Sequence, residues 1–166
     1  VKEFGTMKTL VVYDSEFGNT EKIARAIAAA LGPQETVAVK RVGEVQPPQL
    51  AGLDLLVVGS PTQRFRPTPA INQLLKELPS GALAGVRVAA FDTRLTEAEL
   101  GQNRVLGFFV GIFGYAAKPI ADQLEKQGGT PAAPPEGFYV AGMEGPLLEG
   151  ELARAEKWAG QLLVAG

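Results

Sequence analysis

Apolar β-type runs and amphipathic helical stretches take turns along this chain, about five times over, and that alternation constrains its fold more than any other feature. Lys8 to Tyr13 carries Leu10-Val11-Val12-Tyr13, a first strand. Thr20 to Leu31 places Ile23, Ile27 and Leu31 four residues apart, the spacing of one helix face, and Gly32-Pro33 stops it. Thr36 to Val42 reads as a second strand, and Val45 to Gly52, with Pro47-Pro48, has room only for a short helix. Leu53 to Gly59 is apolar almost throughout, as suits a strand covered on both faces. Thr68 can cap a helix that opens on Pro69 and carries Ile71, Leu74, Leu75 and Leu78 on one stripe. Val86 to Asp92 is a fourth strand, Ala116 to Gln127 a helix, and Gly137 to Ala141 a short fifth strand. Glu151 to Val164 is a last helix with Leu152, Ala155, Ala159 and Leu162 expected inward. Right-handed crossovers force such a chain into an open parallel sheet with helices on both faces, and five strands fit the order 2-1-3-4-5. Ligands of such sheets sit beyond the carboxyl ends of the strands, where the winding reverses between strands one and three. The residues after Tyr13, Gly59 and Asp92 are therefore the ones that matter.

Composition narrows the chemistry. The chain of 166 residues has no cysteine and no histidine. Disulfides, thiolate nucleophiles, Cys/His zinc sites and imidazole general bases are all excluded. Any reaction must run on carboxylates, hydroxyls, amides, Lys and Arg, or on a borrowed cofactor. A formal net charge of −2 gives no broad footprint for nucleic acid. The longest nearly uncharged run, Val105 to Ala117, is short of the roughly 20 residues that span a bilayer, so no membrane span is expected. It reads as a buried helix or loop-plus-helix, or as an apolar lid or partner surface. Thr130 to Pro135 holds three prolines and reads as an extended loop. Residues Val1–Thr6 read as a cloning leader, since Glu3-Phe4 and Gly5-Thr6 are dipeptides that common restriction sites encode, which makes 7–166 one domain starting at Met7. With no targeting signal in view, the expected setting is cytoplasmic.

The loop Asp14-Ser15-Glu16-Phe17-Gly18-Asn19-Thr20 joins the first strand to a helix N-terminus. Unsatisfied backbone N–H groups and the positive end of the helix dipole suit an anion there. Ser15, Asn19 and Thr20 add side-chain donors, and Gly18 lets a ligand approach the backbone. No Lys or Arg lies within the loop; Lys22 is the nearest cation in sequence. It is neither a Walker A loop nor a Gly-x-Gly-x-x-Gly loop. Simple helix capping by Ser, Asn and Thr is the competing explanation of the same residues.

The run from Val11 through Ser15-Glu16-Phe17-Gly18-Asn19-Thr20 to Ile27 resembles the phosphate-loop signature of the flavodoxin family. The resemblance implies a flavodoxin-like α/β fold, FMN as cofactor, and Ser15, Phe17, Gly18, Asn19 and Thr20 around its phosphate, with Glu16 in the same loop. Phe17 departs from the pattern, since many members place a further hydroxyl there. Gly59 to Pro69 resembles the family segment beside one face of the isoalloxazine ring. Pro61 and Pro67 stiffen it, Thr62 and Gln63 can reach ring-edge atoms, and Arg64 and Phe65 follow, Phe65 either stacking on the ring or folding onto the domain. A third loop, from Asp92-Thr93-Arg94-Leu95 to Arg104, corresponds by position to the other flavin-binding loop. It departs further, with no aromatic residue before Phe108 where many members stack a Tyr. Arg94 is expected to matter electrically. A cation about 6 Å from the ring, at an effective dielectric of ~20, would favour the reduced anion by roughly 2.8 kcal/mol. Gly142 to Leu152 also resembles the family and links the fifth strand to the last helix.

The resemblance implies a small FMN-binding electron carrier that meets reductases and acceptor proteins transiently at the flavin edge. Arg64, Arg66, Arg94 and Arg104 among the acids leave only modest steering toward a basic partner. Two other readings stand beside it: an FMN-dependent NAD(P)H or quinone reductase, and a flavin-free binding module on the same fold.

Overall fold

The computed structural model describes residues 7–63, 65–96 and 115–164. The expectations for Val1–Thr6, for Arg64 and for 97–114, which takes in most of the third loop and of the apolar run, lie outside the described residues. Strands and helices follow in the expected order: β1 (Thr9–Tyr13), α1 (Asn19–Leu31), β2 (Val37–Arg41), β3 (Leu55–Pro61), α2 (Pro69–Lys76), β4 (Arg87–Leu95), α3 (Ala117–Lys126), β5 (Thr130–Pro131), β6 (Glu136–Val140) and α4 (Glu151–Leu163). A single 3₁₀ turn, Pro47–Leu50, occupies the stretch with room for only a short helix, and another, Val42–Glu44, precedes it, so that the second strand ends at Arg41 and not at Val42. The sheet is parallel, in the order β2-β1-β3-β4-β5, with β6 also pairing with β4. This is the flavodoxin-like arrangement.

Side chains alternate along each strand, so one sheet carries two cores. Leu10, Val12, Leu56, Val58, Val88 and Ala90 face α2 and α3, where Ile71, Leu74, Leu75, Ile120 and Leu124 meet them. Val11, Tyr13, Leu55, Val57, Ala89 and Phe91 face α1 and α4. Each fully buried Leu, Ile or Phe contributes about 1.5–3 kcal/mol. At the centre of the second core, Phe91, Phe138 and Trp158 sit edge to face, with centroids 6.1–6.2 Å apart. Thr68 caps α2 as expected, accepting the Ile71 N–H at 3.5 Å, and Pro69 opens the helix.

Further differences from the sequence expectations lie at the strand ends and on α4. β3 continues to Pro61 and β4 to Leu95, because Ser60 and Pro61 pair with Asp92 and Thr93, and β6 then pairs with Phe91–Leu95. The first residues expected in the second and third loops are therefore held in the sheet. The fifth strand is split, since Pro131 cannot donate to a ladder and the chain rejoins β4 only at Glu136. On α4, Leu152 is 44% exposed, and the inward stripe is Glu151, Ala155, Trp158, Ala159 and Leu162. Glu151 takes the inward place because its carboxylate accepts the Tyr139 N–H at 2.7 Å and pairs with Arg154, tying the start of α4 to β6.

Candidate functional site

The carboxyl ends of β1, β3 and β4 open onto one cavity of about 1260 Å³, at or above the roughly 300–1,000 Å³ usual for ligand pockets. It is lined from the first loop by Ser15, Glu16, Phe17, Asn19 and Thr20, and from the second by Pro61, Thr62, Gln63 and Phe65. β4 adds Thr93, Arg94 and Leu95. Three segments far apart in the chain thus meet at the switch point between β1 and β3.

The first loop is built around Ser15. Asp14 Oδ1 accepts the Ser15 N–H at 2.9 Å, and Ser15 Oγ accepts the Gly18 N–H at 3.1 Å. Gly18 stands at φ +91°, in the left-handed region where a side chain is strained. It lies behind the cavity wall rather than on it. Ser15 does cap the turn, so the capping explanation holds for that residue. It does not hold for the rest. Among the described residues, the backbone N–H groups of Glu16, Phe17, Asn19 and Thr20 take no protein acceptor. Those of Asn19 and Thr20 are orphan donors of the helix N-terminus, and those of Glu16 and Phe17 stand just before its Gly18 N-cap in the same bend. Phe17, 47% exposed, contributes backbone here while its ring stands at the rim. The donor set fits an anion held by neutral dipoles, with no lysine or arginine in the loop.

Hydrogen bonds brace the loops against one another. Thr20 Oγ1 and Thr93 Oγ1 lie 2.8 Å apart in a buried hydroxyl pair. Gln63 Nε2 donates to Glu16 Oε2 at 2.7 Å across the cavity mouth. Gln63 and Arg66 exchange both backbone bonds, at 2.8 and 2.9 Å, closing a tight turn with Phe65 at φ +68°. The Thr62 N–H donates to Thr93 O at 3.0 Å, and Thr62 Oγ1 accepts the Ala116 N–H at 3.2 Å.

Arg94 forms a charged part of the cavity floor, with Asp92 beneath it. Asp92 is fully buried, does not line the cavity, and reaches it only through Arg94. Arg94 Nε and Nη2 each donate to one Asp92 oxygen at 2.7 Å, and Asp92 Oδ2 also accepts the Ala117 N–H at 2.9 Å. Burial pushes the Asp92 carboxyl above its ordinary range, while Arg94 and the Ala117 N–H pull it back. The guanidinium lies over the Tyr115 ring, 3.7 Å from its centroid. Pairing with Asp92 makes the unit neutral overall, so the full effect expected of a lone Arg94 cation on a nearby ring does not follow.

Gly137 on β6 leaves the shelf on which Arg94 lies, for a Cβ there would overlap the guanidinium. Gly137→Ala is expected to cost about 1–3 kcal/mol. In an Arg94→Met background most of that cost should vanish, and a double-mutant cycle by urea unfolding reads the difference. Equal costs in both backgrounds would mean that the methyl acts elsewhere.

Several lining residues are not ones the sequence pointed to, among them Asn72 and Gln73 on α2, Tyr115 and Met143. Tyr115 stands just before α3, and Met143, 80% exposed, stands in the segment before α4. Residues just before a helix in such a fold lie at the same sheet edge as those just after a strand; the first rule would have found Tyr115, and the second Met143, three residues past β6. The 142–150 segment turns back on β6, with Ala141 N–H to Pro146 O at 2.8 Å and Leu148 N–H to Tyr139 O at 3.0 Å. Asn19 Nδ2 donates to Glu144 O at 3.1 Å, which anchors the segment beside the start of α1.

The model of the flavodoxin domain family matches residues 10–104. Among solved structures, a flavodoxin from the domain Archaea is 20% identical with a TM-score of 0.71, over 94% of this chain and 96% of that one. Oxidised flavodoxin 2 from Bacillus cereus is 21% identical with a TM-score of 0.71, over 93% and 97%. Rubredoxin oxygen:oxidoreductase from Desulfovibrio gigas is 19% identical with a TM-score of 0.68, over 93% of this chain and 35% of that one. At these identities the solved structures bear on the fold. The family match takes in β1 to β4 with the first two loops and spans more than half of the sequence, so the chain belongs to the flavodoxin domain family, whose cofactor is FMN.

Proposed function

We propose that this protein is a cytoplasmic electron carrier, binding FMN and passing electrons between a reductase and acceptor proteins that dock transiently at the cavity mouth. The observation that carries the reading is the bend of unpaired N–H groups at Glu16, Phe17, Asn19 and Thr20, which suits a phosphate monoester without a cationic side chain. Ser15 shapes that bend, and the Thr20–Thr93 hydroxyl pair fixes it against β4. Pro61, Thr62, Gln63 and Phe65 on one side, with Thr93, Arg94, Leu95 and Tyr115 on the other, would flank the ring system. Bound FMN supplies the reversible redox chemistry, which the side chains of this protein lack. The chain's own task is to bind, orient and partly desolvate it.

The extent of the cavity, which passes Phe65 to reach Asn72 and Gln73 on α2, favours a second reading as an NAD(P)H or quinone reductase. NAD(P)H consumption by the FMN-loaded protein separates the two. A carrier consumes none until a separate reductase is added, whereas sustained turnover with a quinone and no second protein would establish the reductase.

A further inference from the structure

Arg41 closes β2, in register with Tyr13 at the end of β1. Its Nη1 donates to Ser15 O at 2.9 Å and lies 3.5 Å from Asp14 Oδ1, and its Nη2 lies 3.8 Å from Glu21 Oε1. The guanidinium also sits 5.3 Å from the centroid of the Tyr13 ring. The backbone of Arg41 is itself held, its N–H donating to Glu44 Oε1 at 3.0 Å. Residue 15 is thus gripped at both ends, its N–H by Asp14 and its carbonyl by Arg41.

This grip has a consequence for the next donor along. In a trans peptide the carbonyl of one residue and the N–H of the next point in opposite directions. The 15–16 peptide is trans, and Arg41 draws the Ser15 carbonyl toward β2. The Glu16 N–H must then point away from β2. β1 lies between β2 and β3 in the sheet, and the cavity opens on the β3 side, at Pro61, Thr62 and Gln63.

Resting on the FMN reading above, we propose that Arg41 is a positioning residue for the phosphate. It holds the Ser15 carbonyl back and so keeps the Glu16 N–H turned into the anion site, without touching the ligand. Selectivity for a phosphorylated flavin over the bare one then depends on a side chain outside the loop. It also gives a physical role to a cation that the spacing of the loop residues does not reveal. The guanidinium is itself tied to Asp14 and Glu21, so its part is orientation more than free charge.

The test compares dissociation constants for FMN and riboflavin in wild type, Arg41→Ala and Arg41→Gln. Arg41→Ala should weaken FMN about tenfold and leave riboflavin within twofold. Arg41→Gln, which keeps an N–H donor but no charge, should recover most of the FMN affinity. A second measurement follows the Glu16 amide by NMR while inorganic phosphate is added to flavin-free protein. In wild type the resonance should move and saturate; in Arg41→Ala the movement should shrink. Unchanged FMN-to-riboflavin selectivity in Arg41→Ala overturns the proposal, as does equal weakening of both flavins. Arg41→Gln behaving like Arg41→Ala overturns it too, since charge alone would then be the cause. If wild type itself fails to prefer FMN, the carrier reading falls, and a silent Glu16 amide in wild type removes this inference with it.

Discussion

Arg94→Met is expected to lower the unfolding free energy by about 3–5 kcal/mol at neutral pH, as breaking one side of a buried ion pair does. The substitution keeps bulk against Tyr115 but strands the Asp92 carboxylate, which has no exposure to water and would keep only the Ala117 N–H among the partners seen here. The pH dependence has a definite sign. Burial raises the folded-state pKa of Asp92, and loss of Arg94 raises it further. The native variant then binds a proton that the unfolded chain does not, at every pH between the folded value and the unfolded value of about 3.9. Its stability relative to wild type must therefore recover as pH falls from the variant's folded value toward the lower folded value of wild type. Adding Asp92→Asn to the variant removes the charge and should restore much of the loss at pH 7. Urea unfolding at neutral and acid pH measures all of this. A gap that stays constant with pH would show that packing, not charge, sets the cost.

Gly59→Ala should be nearly as damaging. Gly59 lies in β3, paired with Tyr13 on one side and Phe91 on the other. A Cβ there would overlap the edge of the Phe91 ring, which Phe138 and Trp158 hold in place. Neither a central strand nor a buried aromatic cluster yields easily, so a loss of about 3 kcal/mol or more is expected, at the upper end of overpacking costs. For a chain of this size that is a fall in Tm of roughly 2–4 °C per kcal/mol. Phe91→Leu in the same background makes room for the methyl and should cost less than it does in wild type. Scanning calorimetry of the four proteins reads the coupling; simple additivity would mean that the ring and the methyl do not meet.

Alternation of apolar runs and amphipathic helices was enough to place the strands, their order and the two helical layers, because each signal is local and repeats along the chain. The first loop was legible for the same reason, since strand, bend and helix N-terminus are consecutive from Tyr13 to Thr20. Features set by partners distant in sequence were not. β4 runs on to Leu95 only because β6 arrives beside it forty residues or so later in the chain. Glu151 occupies an inward position that hydropathy assigns to Leu152, since its role is to hold the β6 backbone. The third loop lacks an aromatic residue after Leu95, yet Tyr115 returns to the cavity from the far end of that connection. Arg94 reads as a free cation in the sequence because nothing local shows that Asp92, two residues earlier on the same strand, turns its carboxylate to the same guanidinium.

The account rests on an anion site made of backbone donors, and calorimetric titration of the flavin-free protein tests it most directly. FMN should bind at least tenfold more tightly than riboflavin, a difference of about 1.4 kcal/mol or more. Added inorganic phosphate should weaken FMN while leaving riboflavin unaffected, because only the phosphorylated flavin uses the bend between Ser15 and Thr20. Equal affinity for the two flavins, or no binding of FMN at millimolar concentration, would contradict it.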